Sequence, residues 1–198
     1  MEIKFYGNTC FEIKGQNATV LINPEKETPE IKTDIVLSSK FEPAKKIEGA
    51  SLFDWPGEYE VKEIPISAYP VFTKSKSEDE DNLEAKPSII FCFTVENIRI
   101  CHLGYLGHSL KSDLIKDLGD VDILMMQAGA ETNLSIKKAT EIIENIEPRI
   151  LIIMGENMEE LLKARSLTST EPKDKLVLKS EKELPENDRL EIVLKQHS

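Results

Sequence analysis

The first part of the chain alternates short apolar runs with turn-forming residues. Each run is rich in β-branched and aromatic residues and is bounded by Gly, Asn, Pro or Ser, a pattern typical of short β-strands. A Pro56-Gly57 turn signal precedes the last run. The pattern predicts strands over Glu2–Gly7, Cys10–Gly15, Thr19–Pro24, Asp34–Ser39 and Glu63–Phe72.

Residues 88–104, SIIFCFTVENIRICHLG, have the pattern of a β-hairpin. If Glu96-Asn97 forms a two-residue turn, Cys92 lies opposite Cys101, with Cα atoms about 4.5–5.5 Å apart. Both faces of the hairpin are apolar, so we expect other elements to cover both. Because three cysteines in all fit a reducing compartment, this pair is expected to be two buried thiols rather than a disulfide.

The last third of the chain changes to a helical period. Apolar residues at helical spacing predict a helix between the cap residue Ser135 and the stop at Pro148. Shorter helices are expected near residues 109–119 and 157–165. Strands are expected near residues 121–129, 149–155, 175–180 and 189–196. Strands followed by β-α-β alternation predict layered sheets that carry helices outside.

Composition and charge limit the class of protein. The 198 residues are enough for one domain, 1–198, with a substantial core. A net charge of −11 argues against non-specific nucleic-acid binding, which depends on phosphate neutralisation. No apolar run approaches the roughly 20 residues of a membrane helix, and the start lacks a signal-peptide core. We therefore expect a cytoplasmic protein with no membrane or nucleic-acid partner. Residues 74–87, which are mostly polar and rich in acidic residues, predict a mobile surface loop.

Several side chains could carry chemistry on their own. His102 and His108 are weak candidates for metal ligands, because a packed, hydrogen-bonded strand histidine is the favoured interpretation of His102. Cys10 and Cys101 lie in apolar strand patterns, so we expect buried thiols rather than nucleophiles. Trp55 is expected in the core, with an exposed anchor for a partner as the alternative. The sequence contains no G-x-S-x-G, P-loop or Rossmann glycine motif.

Separated blocks of the sequence resemble one known superfamily in the same order. The blocks are MEIKFYGNTCFEIKG with TVLINP, then PGEYEV, RICHLGYLGH, GDVDILMM and ATEIIENIEPRILIIM. From Met1 to about Gly155 they resemble the UlaG-like, metal-dependent hydrolase branch of the metallo-β-lactamase superfamily. The resemblance implies an α/β (α+β) fold, a four-layer αββα sandwich with helices outside two facing sheets. It also implies zinc or another divalent metal, whose bound water attacks an ester, amide or phosphodiester.

The resemblance also implies where the metal ligands would stand. A histidine-rich motif is expected after the strand Asp34–Ser39, with further histidines after later strands and an aspartate in the HLG block. This sequence has a shorter loop after that strand. Lysine, threonine and glycine do not replace imidazole as zinc donors, and a lysine opposes a dication. At the positions that correspond to the site the chain has Asn8, Lys40, Glu42, Thr73, Tyr105 and Gly155.

These substitutions lead to the hypothesis of a metal-free pseudoenzyme. It would bind a small ligand or a protein partner, without a cofactor. A divergent hydrolase with a rebuilt site and a structural subunit of an assembly are the alternatives. Because the fold determines where the chain positions lie, we expect Lys40, Glu42, Thr73 and Tyr105 to converge beside Gly155. Lys40 is expected to pair with Glu42 or to share a hydrogen bond with Tyr105, in a cleft that is open or filled by the Tyr105 ring.

Overall fold

The computed structural model describes residues 1–40, 46–73, 85–128, 134–155 and 158–198. The first strands are β1 (Glu2–Phe5), β2 (Phe11–Lys14), β3 (Thr19–Ile22), β4 (Ile35–Leu37), β5 (Ser51–Phe53) and β6 (Gly57–Val61). The later strands are β7 (Ile64–Phe72), β8 (Pro87–Val95), β9 (Ile98–His102), β10 (Ile123–Met126), β11 (Ile150–Ile153), β12 (Leu176–Val177) and β13 (Leu190–Val193). The helices are α1 (Ser112–Leu118), α2 (Ile136–Ile146) and α3 (Glu159–Ala164).

The strands form two mixed sheets. The order is β12-β1-β2-β3-β4-β5 in the first and β13-β11-β10-β9-β8-β7-β6 in the second. Strands β6 to β9 form an antiparallel meander, whereas β9, β10, β11 and β13 run parallel. The parallel half follows from the chain's β-α-β alternation, because parallel neighbours need a crossover connection. This mixed arrangement of two sheets with few helices confirms the predicted α/β fold class.

Two apolar layers stabilise the sandwich. One lies between the sheets and includes the fully buried rings of Phe11, Phe91 and Phe93. The other lies between the second sheet and the helices, where Ile143 of α2 joins Leu124 of β10. Complete burial of one such side chain contributes about 1.5–3 kcal/mol. In the described ranges the three α-helices belong to this second layer, and none is long and apolar enough to cross a membrane.

The predicted hairpin is confirmed in detail. Glu96 and Asn97 form its turn with φ angles of 53° and 63°, and Cys92 pairs with Cys101. Phe93 faces the other sheet, whereas both cysteines face the helices. Both thiols are buried and free. The hairpin is apolar on both faces because the other sheet covers one face and the helices cover the other.

The helix predictions hold for α2 and shift for α1. Ser135 caps α2 by accepting a hydrogen bond from the Lys138 amide, and the helix ends at Glu147 in the left-handed conformation. Helix α1 begins at Ser112 rather than near residue 109. The preceding residues are held in the loop because the Phe72 amide donates to His108 Nε2 at 3.2 Å. Helix α3 lies within the predicted range 157–165.

Other predictions need correction. Trp55 was expected in the core, but 65% of its surface is exposed. It lies between β5 and β6, which are the edge strands of different sheets, so its segment crosses from one sheet to the other. The strand predicted near residues 175–180 is only β12, Leu176–Val177. Most of the predicted acidic loop 74–87 lies outside the described residues, but Pro87 already belongs to β8.

Candidate functional site at one edge of the sandwich

Lys40 and Tyr105 meet just beyond the ends of their strands. Lys40 follows β4 and forms a bridge to Ser88 at the start of β8, while Tyr105 lies in the loop after β9. The Lys40 Nζ lies 4.6 Å from the centroid of the Tyr105 ring, the geometry of a cation–π contact. The lysine is exposed and the tyrosine is partly buried. Within the described residues Lys40 forms no ion pair with a carboxylate.

A series of buried hydrogen bonds reaches the Tyr105 hydroxyl from the interior. The Ser39 amide donates to Asn23 Oδ1 at 2.7 Å, and Asn23 Nδ2 donates to Thr9 Oγ1 at 3.0 Å. The Thr9 hydroxyl in turn donates to the Tyr105 hydroxyl oxygen at 2.8 Å. Thr9, Asn23 and Ser39 are all buried. Because each group is held by the one before it, the position of the phenol oxygen is well defined.

Burial raises the pKa of Tyr105 above its ordinary value, although the Thr9 hydrogen bond and the Lys40 charge act in the opposite direction. Removal of the phenol from water disfavours the phenolate. The group therefore keeps its proton at neutral pH and can donate a hydrogen bond.

His102 belongs to the same framework and is fully buried. The Gly104 amide lies 3.1 Å from Nδ1, and Nε2 lies 3.1 Å from the Thr9 carbonyl oxygen. An amide can only donate, so Nδ1 accepts and Nε2 carries the proton. Burial lowers the pKa of this imidazole to about 4. Both ring nitrogens are engaged by the backbone.

His108 also has both ring nitrogens engaged by the backbone. Besides accepting from the Phe72 amide, it lies with Nδ1 2.8 Å from the Ser109 carbonyl oxygen. In the part of the chain that the structure describes, no three His, Cys, Asp or Glu side chains form a group that could hold a metal.

Asn8 and Gly155 form a second pair of the predicted site positions. The Gly155 amide donates to the Asn8 carbonyl at 2.8 Å, and Asn8 Nδ2 donates to Glu25 at 2.8 Å. A Cβ atom on Gly155 would lie 2.9 Å from Gln127 Oε1. Since Gln127 Nε2 donates to the Gly104 carbonyl at 3.1 Å, the pair is linked to the loop that carries Tyr105.

The remaining predicted positions are divided. Thr73 pairs with Lys86 through a 2.9 Å backbone hydrogen bond across the β7–β8 connection. Its hydrogen bonds within the described residues go to Lys86 and not to Lys40 or Tyr105. Glu42 lies outside the described residues. The structure thus brings together Lys40 and Tyr105, and also Asn8 and Gly155, while the role of these positions as a former pocket stays a prediction.

Sequence reasoning missed the buried polar residues of the site. They have in common that they are polar, buried, and lie at or near the ends of strands: Thr9, Asn23, Ser39, Ser88 and Gln127. Polar residues that end an apolar run, such as Asn23 after TVLI, were the available signal. Ser88 Oγ donates to the Ser39 carbonyl at 3.0 Å, which fixes the start of β8 to the end of β4.

The described residues at this edge do not fit a divalent metal. Zinc needs imidazole, thiolate or carboxylate donors in a compact shell. The edge instead presents an ammonium, a protonated phenol, and a histidine whose two nitrogens are already hydrogen-bonded. The positive charge of the Lys40 ammonium repels a divalent metal ion at this edge.

A family comparison agrees with the fold. The family model of the β-lactamase superfamily domain matches residues 2–155. The chain therefore belongs to the β-lactamase superfamily, as its resemblance to the metallo-β-lactamase branch implied. No curated protein matches the chain by sequence.

Solved structures share the architecture. A candidate Zn-dependent hydrolase of the metallo-β-lactamase superfamily from Thermotoga maritima is 24% identical, with a TM-score of 0.80 over 99% of both chains. A metallo hydrolase from Ignicoccus hospitalis is 13% identical, with a TM-score of 0.60 over 90% of this chain and 99% of that one. The metallo-β-lactamase fold protein YhfI from Bacillus subtilis is 9% identical, with a TM-score of 0.58 over 98% and 96%. At these identities the likeness concerns the fold alone.

Proposed function

We propose that this chain is a metal-free member of its superfamily, a pseudoenzyme that binds a small ligand or a protein partner at the Lys40–Tyr105 edge. One observation carries the proposal, namely that an ammonium stands over the Tyr105 ring where the resemblance places metal ligands. Two unit charges 4 Å apart interact by about 4 kcal/mol at an effective dielectric constant of 20, and a dication doubles this. An ammonium this close to a dication opposes its binding unless strong ligands offset the repulsion.

The buried polar framework supports a retained site rather than a collapsed one. The side chains of Thr9 and Asn23 and the backbone amide of Ser39 are hydrogen-bonded in series, although apolar side chains could have filled positions 9 and 23. Such networks are costly when they are only partly satisfied. Their presence behind Tyr105 is expected if the geometry of this edge matters for binding.

A divergent hydrolase is the second candidate. It is favoured by the names of the structural neighbours, two of which are described as hydrolases. In that case a rebuilt site would cleave an ester, amide or phosphodiester bond.

Elemental analysis separates the two candidates. Protein purified without chelator, then exposed to zinc and dialysed, should hold well under one metal ion per chain. Lactonase, phosphodiesterase and β-lactamase rates should equal those of heat-denatured protein. The variant Lys40→Ala removes the ammonium and tests whether its charge opposes metal binding. Lys14→Ala, which removes an exposed lysine from β2, is the matched control. A ratio near one that survives dialysis, or turnover that a chelator abolishes, would overturn the proposal in favour of the hydrolase.

A further inference from the structure

We infer that Lys40 and Tyr105 form a binding site for a small oxyanion, a ligand that presents a carboxylate or phosphate oxygen. This inference rests on the proposed function, because it names the class of ligand for the same edge. Its basis is the direction of the hydrogen bonds that end at the Tyr105 hydroxyl.

The direction of these bonds begins with a donor that cannot reverse. The Ser39 backbone amide can only donate, so the Asn23 atom that faces it at 2.7 Å is the carbonyl oxygen. The side-chain amide of Asn23 must then point its NH₂ group at Thr9 Oγ1, 3.0 Å away. The orientation of this amide is therefore decided by the backbone.

The next hydrogen bond runs from Thr9 to Tyr105. Thr9 Oγ1 accepts from Asn23 and donates its own proton to the Tyr105 oxygen at 2.8 Å. The Tyr105 oxygen thus acts as an acceptor toward the protein. A hydroxyl that accepts one hydrogen bond can still donate its own proton, so the phenol can act as a donor at the edge.

Lys40 supplies a second donor beside the first. Its ammonium contacts the face of the same ring and has no carboxylate partner among the described residues. The Glu25 carboxylate accepts from Asn8 Nδ2, and its charge also acts on Tyr105, whose pKa it raises. Two adjacent donors, one of them charged, select a ligand that only accepts hydrogen bonds and carries negative charge. A carboxylate or phosphate oxygen meets both conditions, whereas a cation or an amine meets neither.

Titration with inorganic phosphate and with acetate tests the inference and distinguishes the two kinds of oxyanion. Binding is followed by amide chemical shifts at constant ionic strength, since screening alone alters exposed charges. At least one of the two anions should give saturable shifts at residues 9, 40 and 105. Tyr105→Phe removes the O–H but keeps the ring, and Lys40→Gln removes the charge. Each should weaken binding about tenfold, the usual effect of losing one charge-assisted hydrogen bond.

Two matched variants act as controls. Tyr6→Phe removes a phenol that is hydrogen-bonded to Glu12 rather than to Thr9, and Lys14→Gln removes one exposed positive charge. Both should bind within about twofold of the wild type. The inference would be overturned if neither anion showed saturable binding, or if all four variants bound the anion with equal affinity. Either result in a metal-free protein leaves the proposed function standing, whereas stoichiometric metal would refute the proposed function itself.

Discussion

Protonation of His102 should destabilise the fold in mildly acidic solution. The imidazole is fully buried, and burial lowers its pKa from 6.5 to about 4. In the unfolded chain it is solvated and titrates near its ordinary pKa of about 6.5. Between these values the unfolded state binds more protons than the native state. Stability is therefore fully present above about pH 6.5 and is lost as the pH falls toward 4.

The expected loss is large enough to measure. The two pKa values of His102, in the unfolded and the native protein, differ by about 2.5 pH units, and about 1.5 of these units lie above pH 5. Each pH unit corresponds to about 1.4 kcal/mol of unfolding free energy. The free energy of unfolding should thus fall by about 2 kcal/mol between pH 7.5 and pH 5. Asp34, whose pKa Lys62 lowers, loses its contribution only at lower pH.

Urea unfolding at several pH values measures this loss. In His102→Gln the dependence between pH 7.5 and pH 5 should largely disappear, whereas His108→Gln, which alters a partly exposed ring, should retain it. The imidazole signal of His102 in the native protein should also stay in its neutral form down to pH 5. An unchanged slope in His102→Gln, or a native titration midpoint near 6.5, would refute the reasoning.

Two further predictions concern the surroundings of the site. Gly104 has φ +56°, and a Cβ there would lie 2.6 Å from the Ile89 carbonyl oxygen. Gly104→Ala should therefore lower the free energy of unfolding, measured in urea, by more than about 2 kcal/mol. The control Gly49→Ala should lower it by about 1 kcal/mol, because φ is +80° there but no atom lies within 4 Å of the added Cβ. Equal losses would contradict the steric argument. Burial raises the pKa of the Cys101 thiol. Alkylation of Cys101 and Cys92 should therefore be at least about a thousandfold slower in native protein than in denaturant. Rapid labelling of the native protein would show that the apolar layer between the second sheet and the helices is open to solvent.

The elements that sequence predicted correctly are those with local causes. The Glu96-Asn97 turn sets the register of its own hairpin, so the pairing of Cys92 with Cys101 followed from counting residues. The cap at Ser135 likewise lies next to the helix that it begins. The exposure of Trp55 has no local cause, since it depends on β5 and β6 joining different sheets.

The candidate site was predictable only in part for the same reason. Its expected position at the sheet edge came from the resemblance and stays a prediction. Lys40 lies over the Tyr105 ring, whereas the expected arrangements were a pair with Glu42, which lies outside the described residues, or a hydrogen bond with Tyr105. The hydrogen bonds behind Tyr105 join residues that are far apart along the chain, such as Thr9 and Tyr105, which are 96 positions apart. A short polar residue does not disclose its distant partner, so no sequence pattern indicated this network.

Thr9 connects the two features of this edge that matter most. Its carbonyl oxygen lies 3.1 Å from His102 Nε2, while its hydroxyl accepts from Asn23 and donates to Tyr105. With both polar groups occupied, Thr9 cannot change rotamer without leaving a buried donor or acceptor unpaired, at a cost of about 1–3 kcal/mol. The phenol oxygen is therefore held by the interior of the protein rather than by its own loop. Such preorganisation favours selective binding, because a ligand need not order the donor that receives it.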